Sequence, residues 1–102
     1  MVLRSEFADR ELDHFIGSRI MQQPGSHHYT SEIGSAWQLV DKMMRKYMCE
    51  LKLDVFLGVS GELWMASFYH PIRCQRYESK AKTAPLAICR AAKEAFLDLT
   101  AA

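Results

Sequence analysis

The chain has 102 residues, enough for one domain with a single modest core. It is 49% apolar and 25% charged, an ordinary globular mixture. Its formal net charge of +1 removes the electrostatic case for a nucleic-acid partner or an anionic membrane surface.

No apolar run approaches the roughly 20 residues of a membrane span, and the N-terminus has no apolar signal-peptide core. Three cysteines, Cys49, Cys74 and Cys89, form no C-x-x-C pair. An odd, unpaired set suits a reducing cytoplasm better than a disulfide scaffold.

Residues 1–7 carry no pattern and read as a frayed end or a leader. Asp9 is an N-cap candidate for a short first helix. Leu12, Phe15, Ile16 and Ile20 follow at helical spacing, with Arg10, Glu11, Asp13 and Arg19 on the wet face. Pro24 and Gly25 stop that helix, and residues 22–28 read as a polar loop.

Thr30 or Ser31 starts the second helix, with Glu32 at its positive end. Ile33, Ala36, Trp37, Val40, Met44 and Tyr47 make its apolar stripe. Asp41, Lys42, Arg45 and Lys46 lie mainly opposite, and the helix is expected to end near Cys49 or Glu50.

From Leu51 the period changes to two. Leu51, Leu53, Val55 and Leu57 alternate along one strand, and residues 58–61 supply a turn. The second strand carries Leu63, Met65, Ser67 and Tyr69 on one face and Trp64, Ala66 and Phe68 on the other. Pro71 ends or bends it. Large apolar groups on both faces predict a sheet covered on both sides. Residues 73–77 read as a third, edge strand and residues 78–81 as an exposed connection.

The last helix is predicted over residues 84–99. Thr83 is its cap, and Pro85 falls in the first turn, where a missing N–H costs least. Leu86, Ile88, Cys89, Ala92, Phe96 and Leu99 follow near helical spacing, with alanines between them. The fold class is α+β: a small antiparallel sheet of two or three strands layered with helices, in the order α-α-β-β-(β)-α. The expected core is Ile33, Trp37, Val40, Leu53, Val55, Trp64, Phe68, Leu86, Cys89 and Phe96. Trp37 is placed against the hairpin, so Trp37→Ala is expected to unfold the domain or nearly so.

Two stretches and the hairpin between them resemble a known family. They are Tyr29-Thr30-Ser31-Glu32-Ile33-Gly34-Ser35-Ala36-Trp37-Gln38-Leu39-Val40, then Thr83-Ala84-Pro85-Leu86-Ala87-Ile88-Cys89-Arg90-Ala91-Ala92, with a Trp-bearing second strand in the hairpin. Together they resemble the phage ABA sandwich domain family, over roughly residues 8–100. The basic, Met-rich stretch 42–52 departs from the family pattern. The resemblance implies an α-β-α sandwich from a bacteriophage or prophage, at work in the cytoplasm of a bacterial host. It implies no catalytic residues.

The residues offer few chemical constellations. His27, His28, His70 and Cys74 lack the spacing that converges three or four zinc ligands, so no metal is expected. Cys89 lies beside Arg90 but on the apolar stripe, where it reads as an inert core thiol. No serine sits in a G-x-S-x-G elbow. The turn at 58–61 opens no helix and so is no phosphate loop. Asp9, Glu11 and Asp13 read as a solvated face.

Arg73, Arg76, Tyr77, Lys82 and Thr83, with Lys80 between them, are the candidate ligand site. Cations and an aromatic ring before a helix N-terminus suit a phosphate or nucleotide. The plainer reading is an edge strand protected by its charges.

Two functions follow. The first is a non-enzymatic phage accessory protein that acts by binding as a homo-oligomer, with a host protein such as a defence component as partner. The alternative is a protein that sequesters a small nucleotide signal. Neither needs a cofactor. An enzyme acting through Cys89 or the histidines lacks a readable nucleophile–base pair.

Overall fold

The structure is a computed structural model, and it describes residues 9–23, 28–59 and 61–101. Helix α1 (Arg10–Phe15) runs directly into a π-helical segment (Ile16–Met21). Helix α2 (Ile33–Tyr47) leads to strands β1 (Glu50–Gly58), β2 (Gly61–His70) and β3 (Gln75–Ala81), and α3 (Ala84–Leu99) closes the chain. The α+β class and the element order are those expected. Predictions that fall on residues 1–8, on Pro24, Gly25 and His27, or on Ser60 lie outside the described residues.

The sheet is antiparallel, in the order β1-β2-β3. Its third strand is longer than the sequence suggests. Residues 78–81 continue it, because Ser67 pairs with Glu78, Ala66 with Ser79 and Trp64 with Ala81. The polar run Glu78-Ser79-Lys80 suggests an exposed connection, but an edge strand with one face in water carries the same residue types. Gly61 takes φ +110 at the β1–β2 turn, a conformation that favours glycine.

The register sorts the side chains into two faces. Leu51, Leu53 and Val55 pair across with Phe68, Ala66 and Trp64, and beyond them lie Tyr77, Ser79 and Ala81. Helix α3 packs on this face against β2 and β3, and α2 packs on α3. The helices of the described residues thus reach the sheet from one side. On the opposite face Phe56, Leu63, Lys52, Arg76 and Lys80 are exposed.

Helix α3 is the centre of the core. Leu86, Ala87, Ile88, Cys89, Ala91, Ala92, Ala95 and Phe96 are all buried. A helix apolar on most of its circumference is an interior helix, and four alanines let neighbouring backbones approach it. Phe96 receives Phe15 and Tyr47 edge-on, at ring distances of 5.9 and 5.7 Å. Thr83 is the N-cap residue, but its hydroxyl makes no capping bond. Pro85 occupies the second helical position and removes one of the two N–H groups a cap can serve.

The first helix is fastened by polar groups. Asp9 Oδ1 accepts from Leu12 N at 3.0 Å, the expected cap. Asp9 N donates to Thr30 Oγ1 at 2.9 Å, and Thr30 N donates to Asp13 Oδ1 at 2.7 Å. Asp9 and Asp13 are therefore not merely a solvated face, and Thr30 does not start α2. Glu32 is the N-cap residue of α2, and Met48, at φ 59, ends that helix two residues early.

Part of the expected core is corrected. Val40, Phe68, Leu86, Cys89 and Phe96 are buried, and Leu53 and Trp64 are partly buried against them. Ile33, Trp37 and Val55 are not core: they are 46%, 49% and 45% exposed. Helix α2 turns a different face inward, with Ala36, Leu39, Val40 and Met43 buried. That is a rotation of about 60° from the predicted stripe, at 100° per residue. Val55, one step beyond Leu53 on this face toward the hairpin turn, is exposed where Leu51 and Leu53 are half-buried.

Candidate functional site

The predicted ligand cluster does not converge. Arg73 lies in the β2–β3 turn, and its guanidinium pairs with the Asp98 carboxylate at 3.4 Å, at the C-terminal end of α3. Tyr77 is buried, and its hydroxyl donates to that same carboxylate. Burial and the adjacent Asp98 raise the Tyr77 phenol above its ordinary value. The exposed Arg76 lies over the Tyr69 ring at 5.3 Å. Lys82 and Thr83 stand past the other end of β3, about 20 Å away for a strand of this length. Arg73, Tyr77 and Asp98 thus tie the edge strand to the end of α3.

The reactive candidates are equally separate. Cys89 is fully buried, and burial first, then Asp13 and Asp9, push its thiol well above the ordinary value. A nucleophilic thiol needs the opposite shift. His70 Nδ1 accepts from Arg73 N at 3.1 Å and shapes the turn. Cys74 is exposed, with φ 54, and donates to the Pro71 carbonyl. Among the described residues no three His, Cys, Asp or Glu side chains are grouped to hold a metal ion.

What the structure does concentrate is exposed apolar surface, in two places. The first is the outer face of α2. Ile33, Trp37 and Met44 recur at helical spacing on one stripe, and Met48 continues it past the helix end. Beside this stripe runs an open groove of about 880 Å³ between α2 and the π-helical segment. Trp37 and the nearly buried Met21 are its apolar lining, Gln38 and Asp41 lie between, and Lys42, Arg45 and Lys46 are its basic side. Arg45 is already paired with Asp41 at 2.7 Å.

The second place is the far end of the β1–β2 hairpin. Val55, Phe56, Leu57, Val59 and Leu63 are all exposed there, Leu57 at 81%. They occupy both faces, since Val55 pairs with Trp64 and Phe56 with Leu63. Only the residues nearer the helices gain cover from α3.

Apolar groups on both strand faces predict a sheet covered twice, whereas the helices of the described residues cover one face. The sequence pattern does not mark Met48, Leu57, Val59 and Leu63 as surface. The signal was present in α2, which carries two apolar stripes where a one-sided helix needs one.

An antiparallel three-stranded sheet with helices stacked on one face defines a small α+β domain, and this one carries two exposed apolar patches. The chain belongs to the phage ABA sandwich domain family, whose model matches residues 6–93. No curated protein and no solved structure matches it. No helix of the described residues is long and apolar enough to cross a membrane.

Proposed function

We propose that this phage-family protein acts by binding rather than catalysis, as an accessory protein working in the host cytoplasm. It associates with copies of itself and occupies a host protein, such as a defence component. The observation that carries this reading is Trp37, 49% exposed on a stripe with Ile33 and Met44. Contiguous apolar surface of this kind costs solubility and marks interaction sites, and exposed Trp is the residue type richest in interface energy. Retrieval of partners from host lysate with tagged protein, compared with a Trp37→Ala variant, tests it. A specific protein lost from the variant supports the reading. No partner, together with a strictly monomeric mass, overturns it.

One observation favours the nucleotide reading as a second possibility. The Thr83 hydroxyl at the start of α3 is buried and has no hydrogen-bond partner among the described residues. An anion at that helix start would satisfy it. The cations would come from Lys82 and from another subunit, because Arg73 and Arg76 are remote. Thermal shift against cyclic and linear nucleotides is the test. At a hundredfold excess over the dissociation constant, stabilisation of about 2.7 kcal/mol is expected, and no shift rejects it.

A further inference from the structure

We infer that the groove beside α2 receives the hairpin end of a second copy of this chain. The inference rests on the self-association proposed above and names the surfaces that make it. Three features of the two patches select each other.

The first is apolar content. The hairpin end has side chains on both faces that its own chain leaves uncovered, Phe56 and Leu63 on one and Val55 on the other, with Leu57 and Val59 at the tip. A hairpin end apolar on both sides can lay one face in an open groove, and this groove offers it the half-exposed Trp37 of α2 beside the nearly buried Met21 of the π-helical segment.

The second feature is charge. On the rim, Lys42 and Lys46 carry no ion pair among the described residues, while Arg45 is taken by Asp41. The hairpin end carries acids. Among the described residues Glu62 pairs with no cation, its carboxylate accepting from the Trp64 indole at 3.0 Å, and Asp54 meets Lys52 at a loose 3.9 Å. Acid on the inserted element and base on the receiving rim fix orientation and oppose insertion of a basic segment.

The third is economy. Both patches belong to one chain, so one contact between copies covers both. Two reciprocal contacts close a two-fold pair and leave neither patch open. The net charge of +1 sets no repulsion against it.

The test uses the full chain. Wild-type mass is measured by sedimentation from low to high micromolar concentration, beside Leu57→Asp, Trp37→Ala, Glu62→Lys and Lys46→Glu. Far-ultraviolet circular dichroism confirms that each variant is folded. Wild type should exceed 11.7 kDa, and Leu57→Asp and Trp37→Ala should each weaken association about thirtyfold or more. Each charge variant should weaken it, and Glu62→Lys combined with Lys46→Glu should recover it. In a Cys74→Ser background, Val59→Cys with Gln38→Cys should give an intermolecular disulfide that neither single cysteine gives. An oligomer that survives both Leu57→Asp and Trp37→Ala overturns this inference and leaves the binding function standing. Self-crosslinking of Val59→Cys alone overturns it too. A monomer at every concentration overturns it together with the self-association on which it rests.

Discussion

Two aromatic side chains of similar size face opposite fates. Phe68 is fully buried beneath α3, whereas Trp37 is half in water. Truncating a buried Phe removes transfer energy and leaves a cavity, at about 3–5 kcal/mol. A small domain holds only about 5–15 kcal/mol in total. Phe68→Ala should therefore unfold the protein or nearly so. Trp37→Ala should cost about 1 kcal/mol or less, a shift of no more than about 8 °C, when melting is followed in dilute solution. The opposite order would return Trp37 to the core. Arg76→Ala, which removes an exposed cation from the Tyr69 ring, should cost about 0.5–1 kcal/mol.

The thiols give a second test at the residue scale. Cys74 is exposed, while Cys49 and Cys89 are buried. One thiol should react quickly with a disulfide reagent, and two only on unfolding. Burial raises both buried thiols and the Tyr29 and Tyr77 phenols. Each group holds its proton more tightly folded than unfolded. The stability this represents is whole below the ordinary cysteine value of 9.0, and is lost as pH rises through it and then through the tyrosine value of 10.0. The urea midpoint should be level from pH 7 to about 8.5 and fall above pH 9. The fall should be shallower in Cys89→Ala. A midpoint that rises above pH 9 contradicts this reading of the core.

At the scale of elements, α1 is held by two carboxylates and one threonine rather than by its length. It has six residues, too few to persist alone. Thr30 Oγ1 and Asp13 Oδ1 bind the loop before α2 to α1 from both directions. Thr30→Val keeps the shape and leaves Asp9 N without its partner, at about 1–3 kcal/mol. Amide exchange should quicken first in residues 9–15 and leave α3 protected; uniform loss across the chain would mean that the clamp is part of the core. The same elements explain what was legible beforehand. The bounds of α3 and the β1–β2 hairpin were readable because alanine content, Pro85 and the change of period each act locally. The inward face of α2 was not, because Leu39 and Trp37 are equally apolar neighbours. Packing against α3 decides between them, and that contact is made 50 residues away in sequence. The dispersal of Arg73, Arg76, Lys82 and Thr83 was hidden for a related reason. Residues close in sequence separate by about 3.3 Å per step once the stretch between them is a strand.

At the scale of the whole molecule, the interior and the exterior are specified by different residues. The core is built around α3, with the sheet on one side and α2 on another. Most of the exposed large apolar groups gather on α2 and at the hairpin end, with Ile72 and Leu97 standing apart. Scattered surface hydrophobes need no explanation, but two gathered patches of complementary charge do. Binding through these patches, with self-association using both, is the proposal that joins these observations. Its most direct measurement is the sedimentation mass of wild type against Trp37→Ala over a range of concentrations. Wild type should form a species heavier than the 11.7 kDa chain, and a folded Trp37→Ala should remain at the single-chain mass over the same range. A wild type that stays at the chain mass, or a Trp37→Ala that unfolds as a buried tryptophan would, contradicts it.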